Sequence, residues 1–556
     1  MIEADRVLVY LGFFVAAFLI AQTDQRRQRF AEGIAISLIG VAILALTSRL
    51  LPHVFALGDG PGSNSRLGYP LGYWNADGVA FGIGTVLSLW LSRRSLNASL
   101  RWLAVASLPA LLLALYFTYS RGGLLALLVA GLCLLALSPD RLLLLGTLAV
   151  GAVGAVPAVL SVQAHDTIAN NFDNPSIAGQ GATVLLLLLA GIALSLALWA
   201  GLRRLEARGG ALTGRALALS RDRRVLRALA LVAALLAIGA AIAVGGRAWH
   251  QFSSSDVQLP SQPQQHFGQL SGSGRSEFWR VALDAFAEDP VAGKGAGTYR
   301  FAWDQLRHTT MPVLEAHSLY LQAFAELGTI GGLLVLGLVL FLLWTGFAAW
   351  RAASGARREL YAALLAACLA FAVGAAIDWF WAIAGLGAVF FLAAAVLVAA
   401  RCGQLAQLRV EGNGRGERRR YGIAIAGLAV AWIAALALIG PLLVHHELDA
   451  SQTASADGNV ASAIEHAKTA RSIEPWAASP YVQLGLLYEG QGEFATASEM
   501  MGKAIEREEG NWLLYYLRAR IEHEAGNESA ARADLREALR LNPREACIEE
   551  GPEACR

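Results

Sequence analysis

Apolar stretches long enough to cross a membrane recur along the first 444 residues of this 556-residue chain. A helix needs about 20 such residues to span the hydrocarbon core of a bilayer. Only 16% of the residues are charged, whereas soluble domains average about 25%. We therefore predict an all-α, polytopic helical membrane protein with about twelve spans. The predicted spans are 7–22, 33–51, 77–92, 102–118, 122–138, 141–161, 183–202, 228–246, 319–347, 360–376, 382–400 and 421–444.

Arginines are divided unequally between the loops that alternate along these spans. Loops on one side hold 24 arginines, and the short segments on the other side hold four. Basic residues in short loops mark the cytoplasmic side. The sequence therefore predicts a multi-pass protein of the cytoplasmic (inner) membrane whose tail is extracytoplasmic. The segments predicted to lie outside are 52–76, 120–121, 162–182, the long loop 247–316, and 377–381.

A polar tail, residues 446–556, follows the membrane domain of residues 1–445. A Gly-Asn or Gly-Glu dipeptide recurs in it every 34 residues, at 458–459, 492–493 and 526–527. This period, with alanines at helical spacing, is typical of tetratricopeptide repeats. We predict a leading helix and two tetratricopeptide-like helix pairs, which form an α-solenoid. A protein- or peptide-binding surface and a plain spacer both remain open as its role.

The cysteines and the missing motifs exclude several classes of protein. Cys547 and Cys555 close the extracytoplasmic tail, where a disulfide is the default for such a pair. We find neither zinc-ligand spacing nor a phosphate-binding loop, so we expect no metal, no cofactor and no ATP-driven pump. The net charge of +2 gives no basic signature for nucleic acid.

Three residues on the predicted outer side are candidates for a functional site. Arg121 separates two spans with almost no loop, at a depth where a charge is costly. Arg275 lies in the long loop, and His317 lies at the start of the next span. Each has an ordinary explanation, as a snorkelling or solvated arginine or a packing histidine. Their coincidence on one side favours a shared function.

The order and spacing of these motifs resemble the O-antigen ligase and O-antigen polymerase family over about residues 60–400. Where that family usually has a His-Asn pair, this chain has Ser318 after the histidine. The matching elements are Leu71-Gly72-Tyr73-Trp74-Asn75, Ser120-Arg121-Gly122, Gly274-Arg275 through Trp279, the glycine run 293–297 and the segment 317–331.

The resemblance implies a GT-C-like, metal-independent glycosyltransferase. It would take a glycan from a polyprenyl-diphosphate carrier and pass it to a hydroxyl of a glycan, lipid or protein acceptor at the outer face. Arg121 and Arg275 would bind the diphosphate and stabilise its departing charge, because guanidinium forks onto phosphate oxygens. Arg300 and Arg280 are weaker candidates for the same binding. His317 would serve the acceptor as a general base, or only orient it.

Other functions remain open at this stage. Within the family, a polymerase that joins repeat units on the lipid carrier is the alternative to a ligase, and the tail slightly favours the ligase. Outside it, a transporter or flippase is the main rival, although residues 1–444 show none of the internal repeats typical of transporters. A non-catalytic scaffold for the tail is a third. We predict that Glu326, nine residues after His317, has a structural role as an intramembrane hydrogen-bonding residue. Asp378 is a minor candidate for the site.

Overall fold

A computed structural model describes the chain in segments. The described residues are 2–52, 66–165, 167–168, 177–208, 272–409, 429, 432–433, 436, 439–545 and 547–548. They form helices and no strand, so the prediction of an all-α protein is confirmed. The chain divides into two compact units. The membrane unit holds residues 13–274 and 336–427, and the tail unit holds residues 1–12, 275–335 and 428–556.

The helices are numbered here in chain order. Those before the long loop are α1 (Ile2–Ile20), α2 (Asp24–Leu50), α3 (Trp74–Arg94), α4 (Ala98–Phe117), α5 (Arg121–Leu137), α6 (Arg141–Ala164) and α7 (Ile177–Arg208). Those that follow are α8 (Arg275–Glu288), α9 (Tyr299–Leu306), α10 (Leu319–Ala352), α11 (Gly355–Gly374), α12 (Ala384–Arg409), α13 (Ile439–Ala456), α14 (Val460–Ile473), α15 (Ser479–Gly490), α16 (Phe494–Ile505), α17 (Trp512–Glu524) and α18 (Glu528–Leu541).

Six of the described helices, α2, α4, α6, α7, α10 and α12, are long and apolar enough to cross a membrane, and α5 is a shorter apolar helix. These helices confirm a multi-pass membrane protein. The predicted span 228–246 lies outside the described residues, as does most of 421–444.

Helix α3 is the central helix of the membrane unit. Every residue from Asn75 to Ser92 is buried, and the helix packs on α2, α4, α5 and α11. Because it faces protein on all sides, it can carry polar residues that a lipid-facing helix would not. Small residues bring its neighbours close. A Cβ atom added to Gly123 of α5 would lie 2.8 Å from the Cα atom of Gly78.

Ion pairs join helix ends at one end of the membrane unit, here called the ion-pair end. Arg93, near the end of α3, donates to both carboxylate oxygens of Glu206, at 2.9 and 2.7 Å. Arg94 pairs with Asp140 at 2.7 Å and with Glu359. The end of α7 and the beginnings of α6 and α11 therefore lie together here.

The opposite end, here called the motif end, lies about 30 Å away along α3. It gathers the beginnings of α3 and α5 with Asp378, which follows α11. The described helix ends at the ion-pair end belong to the arginine-rich loops, and those at the motif end belong to the arginine-poor segments. In the membrane unit, the described ends of the arginine-rich loops therefore lie together, and the described ends of the arginine-poor segments lie together at the other end.

The tail unit contains the repeats. Gly458, Gly492 and Gly526 have left-handed φ angles of 78°, 76° and 78°, each at the turn inside a helix pair. The following residue closes the same turn each time, with its N–H bonded to the carbonyl five residues earlier at 2.8–2.9 Å. The 34-residue period is thus a structural repeat.

The count of repeat helices differs from the prediction. Helix α13 pairs with α14, so the described tail has three helix pairs, not a single leading helix and two pairs. The prediction was wrong because residues 439–444 are apolar and were assigned to the end of the last span. In the structure they begin the first repeat helix. Cys547 is disulfide-bonded, and its expected partner Cys555 lies outside the described residues.

Candidate functional site

A buried polar network fixes the residue that precedes Arg121. The carboxylate of Asp378 accepts hydrogen bonds from the Tyr73 hydroxyl at 2.9 Å and from Asn75 Nδ2 at 2.7 Å. Ser120 Oγ donates to Asn75 Oδ1 at 2.7 Å. The same Ser120 Oγ accepts from the N–H of Gly123 at 3.0 Å, which caps the beginning of α5. All four side chains are buried.

Arg121 is the first residue of α5 and is half-buried. Its Nη2 donates to Ser273 Oγ at 3.1 Å, within the membrane unit. Arg66 holds the turn in front of it by donating to the carbonyls of Thr118 and Tyr119, each at 2.9 Å. Sequence reasoning did not select Arg66 for the site. Its position shortly before the family-like stretch 71–75 was the available signal.

In the tail unit, the structure brings His317 against the first turn of the helix that starts with Arg275. The His317 ring lies 4.8 Å from the ring centre of Phe278. His317 Nδ1 lies 2.9 Å from the carbonyl oxygen of Glu315. A carbonyl only accepts, so in the neutral ring Nδ1 carries the proton and Nε2 is the basic nitrogen.

Strained backbone lies at His317 and shortly before Arg121 and Arg275. Among the described residues, the non-glycine residues with left-handed φ are Tyr119 at 46°, Ser273 at 51° and His317 at 53°. Each lies two residues before the beginning of a helix, namely α5, α8 and α10. The first two therefore stand two residues before Arg121 and Arg275. Such conformations are uncommon outside glycine, and they cluster at functional sites.

Ser318 and Glu326 have structural contacts on α10. Ser318 is buried, and its Oγ accepts from the N–H of Leu321 at 3.4 Å, at the beginning of the helix. Serine and asparagine are both preferred at such N-caps, which accounts for serine where the family usually has asparagine. The Glu326 carboxylate accepts from the N–H groups of Gly297 at 2.9 Å and Tyr299 at 3.1 Å. It thereby holds the glycine run against α10, as expected of a hydrogen bonder.

Arg280 and Arg300 make ion pairs within the tail unit. Arg280 pairs through Nε and Nη2 with Glu277, at 2.9 and 2.6 Å, and through Nη1 with Asp284 at 2.5 Å. Its hydrogen bonds lower the pKa of the Glu277 carboxyl. Arg300 Nη2 lies 3.1 Å from Glu508 Oε2 in the tail. Both guanidinium groups are thus engaged by carboxylates of this chain.

Two segments of the chain match models of known protein families. Residues 177–336 match the family model of the O-antigen ligases. Residues 478–511 and 514–545 match the tetratricopeptide repeat. The chain is therefore similar to O-antigen ligases over that segment and to tetratricopeptide repeats in its tail. The resemblance seen in the sequence is therefore confirmed, and it supports a glycan-transfer function at a membrane.

The matched ligase segment is shorter than the stretch of resemblance. It contains Arg275, Arg280, Arg300 and His317, whereas Arg121 precedes it. A comparison of the chain with curated proteins gave no match.

Proposed function

We propose that this protein transfers a glycan from a polyprenyl-diphosphate carrier to an acceptor hydroxyl at the outer face of the cytoplasmic membrane, in the manner of an O-antigen ligase. The ligase-family match supports the class of reaction. The observation that carries the site is left-handed backbone at His317 and at the residues two positions before Arg121 and Arg275. Strain of this kind persists only where the surrounding structure enforces it.

Arg121 and Arg275 are assigned to the donor. Each is the first residue of a helix, where the backbone dipole is already positive and acidic side chains are preferred. A cation at that place is unfavourable for the helix alone, but it creates a strong site for a diphosphate. Within the membrane unit, Arg121 Nη2 donates to Ser273 Oγ.

The chemistry divides between the two arginines and the histidine. As the glycosidic C–O bond to the diphosphate breaks, negative charge grows on the leaving oxygen, and guanidinium groups stabilise it. His317 Nε2 takes the proton of the acceptor hydroxyl as that oxygen bonds the anomeric carbon. The products are the glycosylated acceptor and the polyprenyl diphosphate.

An assay with purified protein and lipid-linked oligosaccharide tests the proposal. A ligase releases free polyprenyl diphosphate and places the glycan on a new acceptor. A ladder of longer lipid-linked chains would instead establish a polymerase. We expect EDTA to leave the rate unchanged, since the proposed residues supply the charge stabilisation. Inhibition by EDTA that added Mg²⁺ reverses would contradict the metal-independent mechanism.

Arg275→Lys sharpens the donor assignment. Lysine keeps the charge but loses the planar fork, so we expect transfer to fall at least about tenfold. The measurement is the initial rate with donor varied. A rate equal to that of the unmodified protein would show that Arg275 acts only as a point charge.

A further inference from the structure

The second and third repeat pairs of the tail hold the helix that leads toward His317. Within the tail unit, Gly510, between α16 and α17, lies directly against Phe301 of α9. A Cβ atom added to Gly510 would be 3.2 Å from the Cβ atom of Phe301. Beside this contact, Arg300 pairs with Glu508 at 3.1 Å. One edge of the solenoid is therefore occupied by a helix of the ligase domain.

Arg307 is almost fully buried in this contact, with only 2% of its side chain exposed. Its Nη2 donates to Asn542 Oδ1 at 2.9 Å and to Glu545 Oε2 at 3.2 Å, both just beyond α18. The tail returns the contact, because Arg544 Nε donates to the carbonyl of Arg307 at 2.7 Å. A buried guanidinium with a carboxylate and an amide on one side is a fixed point of the structure.

The same arginine also fixes the segment that continues to His317. Arg307 Nη1 donates to the carbonyl of Thr310 at 2.9 Å, and Trp303 Nε1 donates to that of Met311 at 2.9 Å. From the other side, Glu277 of α8 accepts the N–H of His308 at 2.8 Å. The first part of this segment, Arg307 to Met311, is thus held between α8 and the C-terminal end of the tail, and the chain continues from it to His317.

We propose that the tail is a positioning element of the transferase: its residues Asn542, Arg544 and Glu545 hold Arg307, and through the 307–317 segment they set the position of His317. This inference rests on the proposed role of His317 in glycan transfer. It gives the tail a function inside its own chain, in addition to any partner its remaining surface takes. Arg307 is a positioning residue here and touches no substrate.

Variants at the contact separate positioning from donor binding. We expect Arg307→Ala and Asn542→Ala to lower kcat by about ten- to a hundredfold, because small misplacements of a catalytic group have effects of that size. The KM for the lipid-linked donor should stay unchanged, since the donor arginines lie elsewhere. The matched control is Arg520→Ala, which breaks a pair with both oxygens of Glu489 at 2.7 Å inside the repeats, and it should keep kcat.

A charge exchange tests the contact without removing a side chain. Arg300→Glu and Glu508→Arg should each weaken docking of the tail and lower kcat, and the double variant should recover most of it. If Arg300 instead bound the donor diphosphate, the double variant would stay as inactive as Arg300→Glu alone, and this part of the contact would lose its assigned role.

A disulfide cross-link tests the docking independently of transfer. Phe301→Cys with Gly510→Cys should form a disulfide in the full chain, because their Cβ atoms would lie 3.2 Å apart and a small shift brings them to the usual separation of about 3.8 Å. Phe301→Cys with Gly490→Cys is the control, since a Cβ atom at Gly490 meets nothing within 4 Å. We expect the cross-linked protein to stay active and Arg307→Ala to reduce cross-linking.

The outcomes separate this proposal from the proposed function. An active protein whose Arg307→Ala and Asn542→Ala variants keep full kcat overturns the positioning role and leaves glycan transfer standing. Failure of the cross-link in a folded, active protein overturns it as well. If the unmodified protein transfers no glycan while the cross-link forms, the proposed function and the positioning role fall together, and the docking remains.

Discussion

The two ends of the membrane unit use arginine in opposite ways. At the ion-pair end, Arg93 and Arg94 are the last residues of α3, where the helix dipole favours a cation. Carboxylates in α7 and α11 and at the N-cap of α6 pair with them. At the motif end, Arg121 begins α5, where the dipole disfavours a cation, and the residue two positions earlier has a strained backbone.

This contrast distinguishes arginines that stabilise the fold from arginines that are expected to bind a ligand. An arginine at the C-terminal end of a helix, where the dipole favours a cation, and paired with carboxylates stabilises the structure. Its removal is expected to lower the stability of the protein. An arginine placed against the local preference is expected where a ligand supplies the compensating charge. Arg275 repeats the pattern of Arg121 at the beginning of α8.

The largest expected effect separates the two ends directly. Arg121→Ala should lower glycan transfer by about 10²–10³-fold, because a charge stabiliser of the leaving group is lost. Arg275→Ala and His317→Ala should do the same, and expression should stay normal for all three. Arg94→Ala should instead lower the yield of folded protein, because it leaves Glu359 and Asp140 without that partner.

The measurements are the transfer rate per folded molecule and the yield in detergent. Near-normal turnover in any of the three alanine variants would remove that residue from the site. Loss of turnover in folded Arg94→Ala would break the distinction between the two ends.

Asp378→Ala gives the next largest effect. It removes the acceptor for Tyr73 and Asn75, and Asn75 in turn accepts from Ser120, which caps α5 in front of Arg121. We expect transfer to fall by about ten- to a hundredfold with a raised KM for the donor. Glu359→Gln at the ion-pair end is the control, and its effect should be on yield alone. Full activity of Asp378→Ala would show that the network does not position Arg121.

These residues also show how far the sequence could lead. The apolar stretches predicted a multi-pass helical membrane protein, the 34-residue period predicted the repeats, and the motifs selected Arg121, Arg275 and His317. The contact that the tail makes with α9 and Arg307 could not be predicted from the sequence, because Arg307 and Asn542 are 235 positions apart and belong to no periodic pattern. The polar network was missed for the same reason, since Asn75 and Asp378 meet only in the folded chain.

Close helix packing at the motif end gives a smaller effect. A Cβ atom on Gly123 would lie 2.7–2.8 Å from the backbone of Gly78, so Gly123→Ala should push the beginning of α5 away from α3. We expect transfer to fall by about tenfold. Gly131→Ala on the same helix is the matched control, because a Cβ atom there meets nothing within 4 Å. Equal rates for the two variants would show that the position of Arg121 tolerates a shift of the helix.

The smallest expected effect comes from comparing two arginines of the same helix, α8. Helix α8 begins with Arg275 and also carries Arg280, whose hydrogen bonds lower the pKa of Glu277. A carboxyl with a lowered pKa in the folded state stabilises the protein above its unfolded pKa, and that contribution is lost as the pH falls through the folded value. Arg280→Ala should therefore lower the free energy of unfolding by about 1 kcal/mol at pH 7 and by less in acid. Thermal unfolding at pH 7 and at about pH 4 measures this. A Tm difference that stays constant over this range would mean that Arg280 acts through its bond to the Leu306 carbonyl, at 2.7 Å, and not through Glu277.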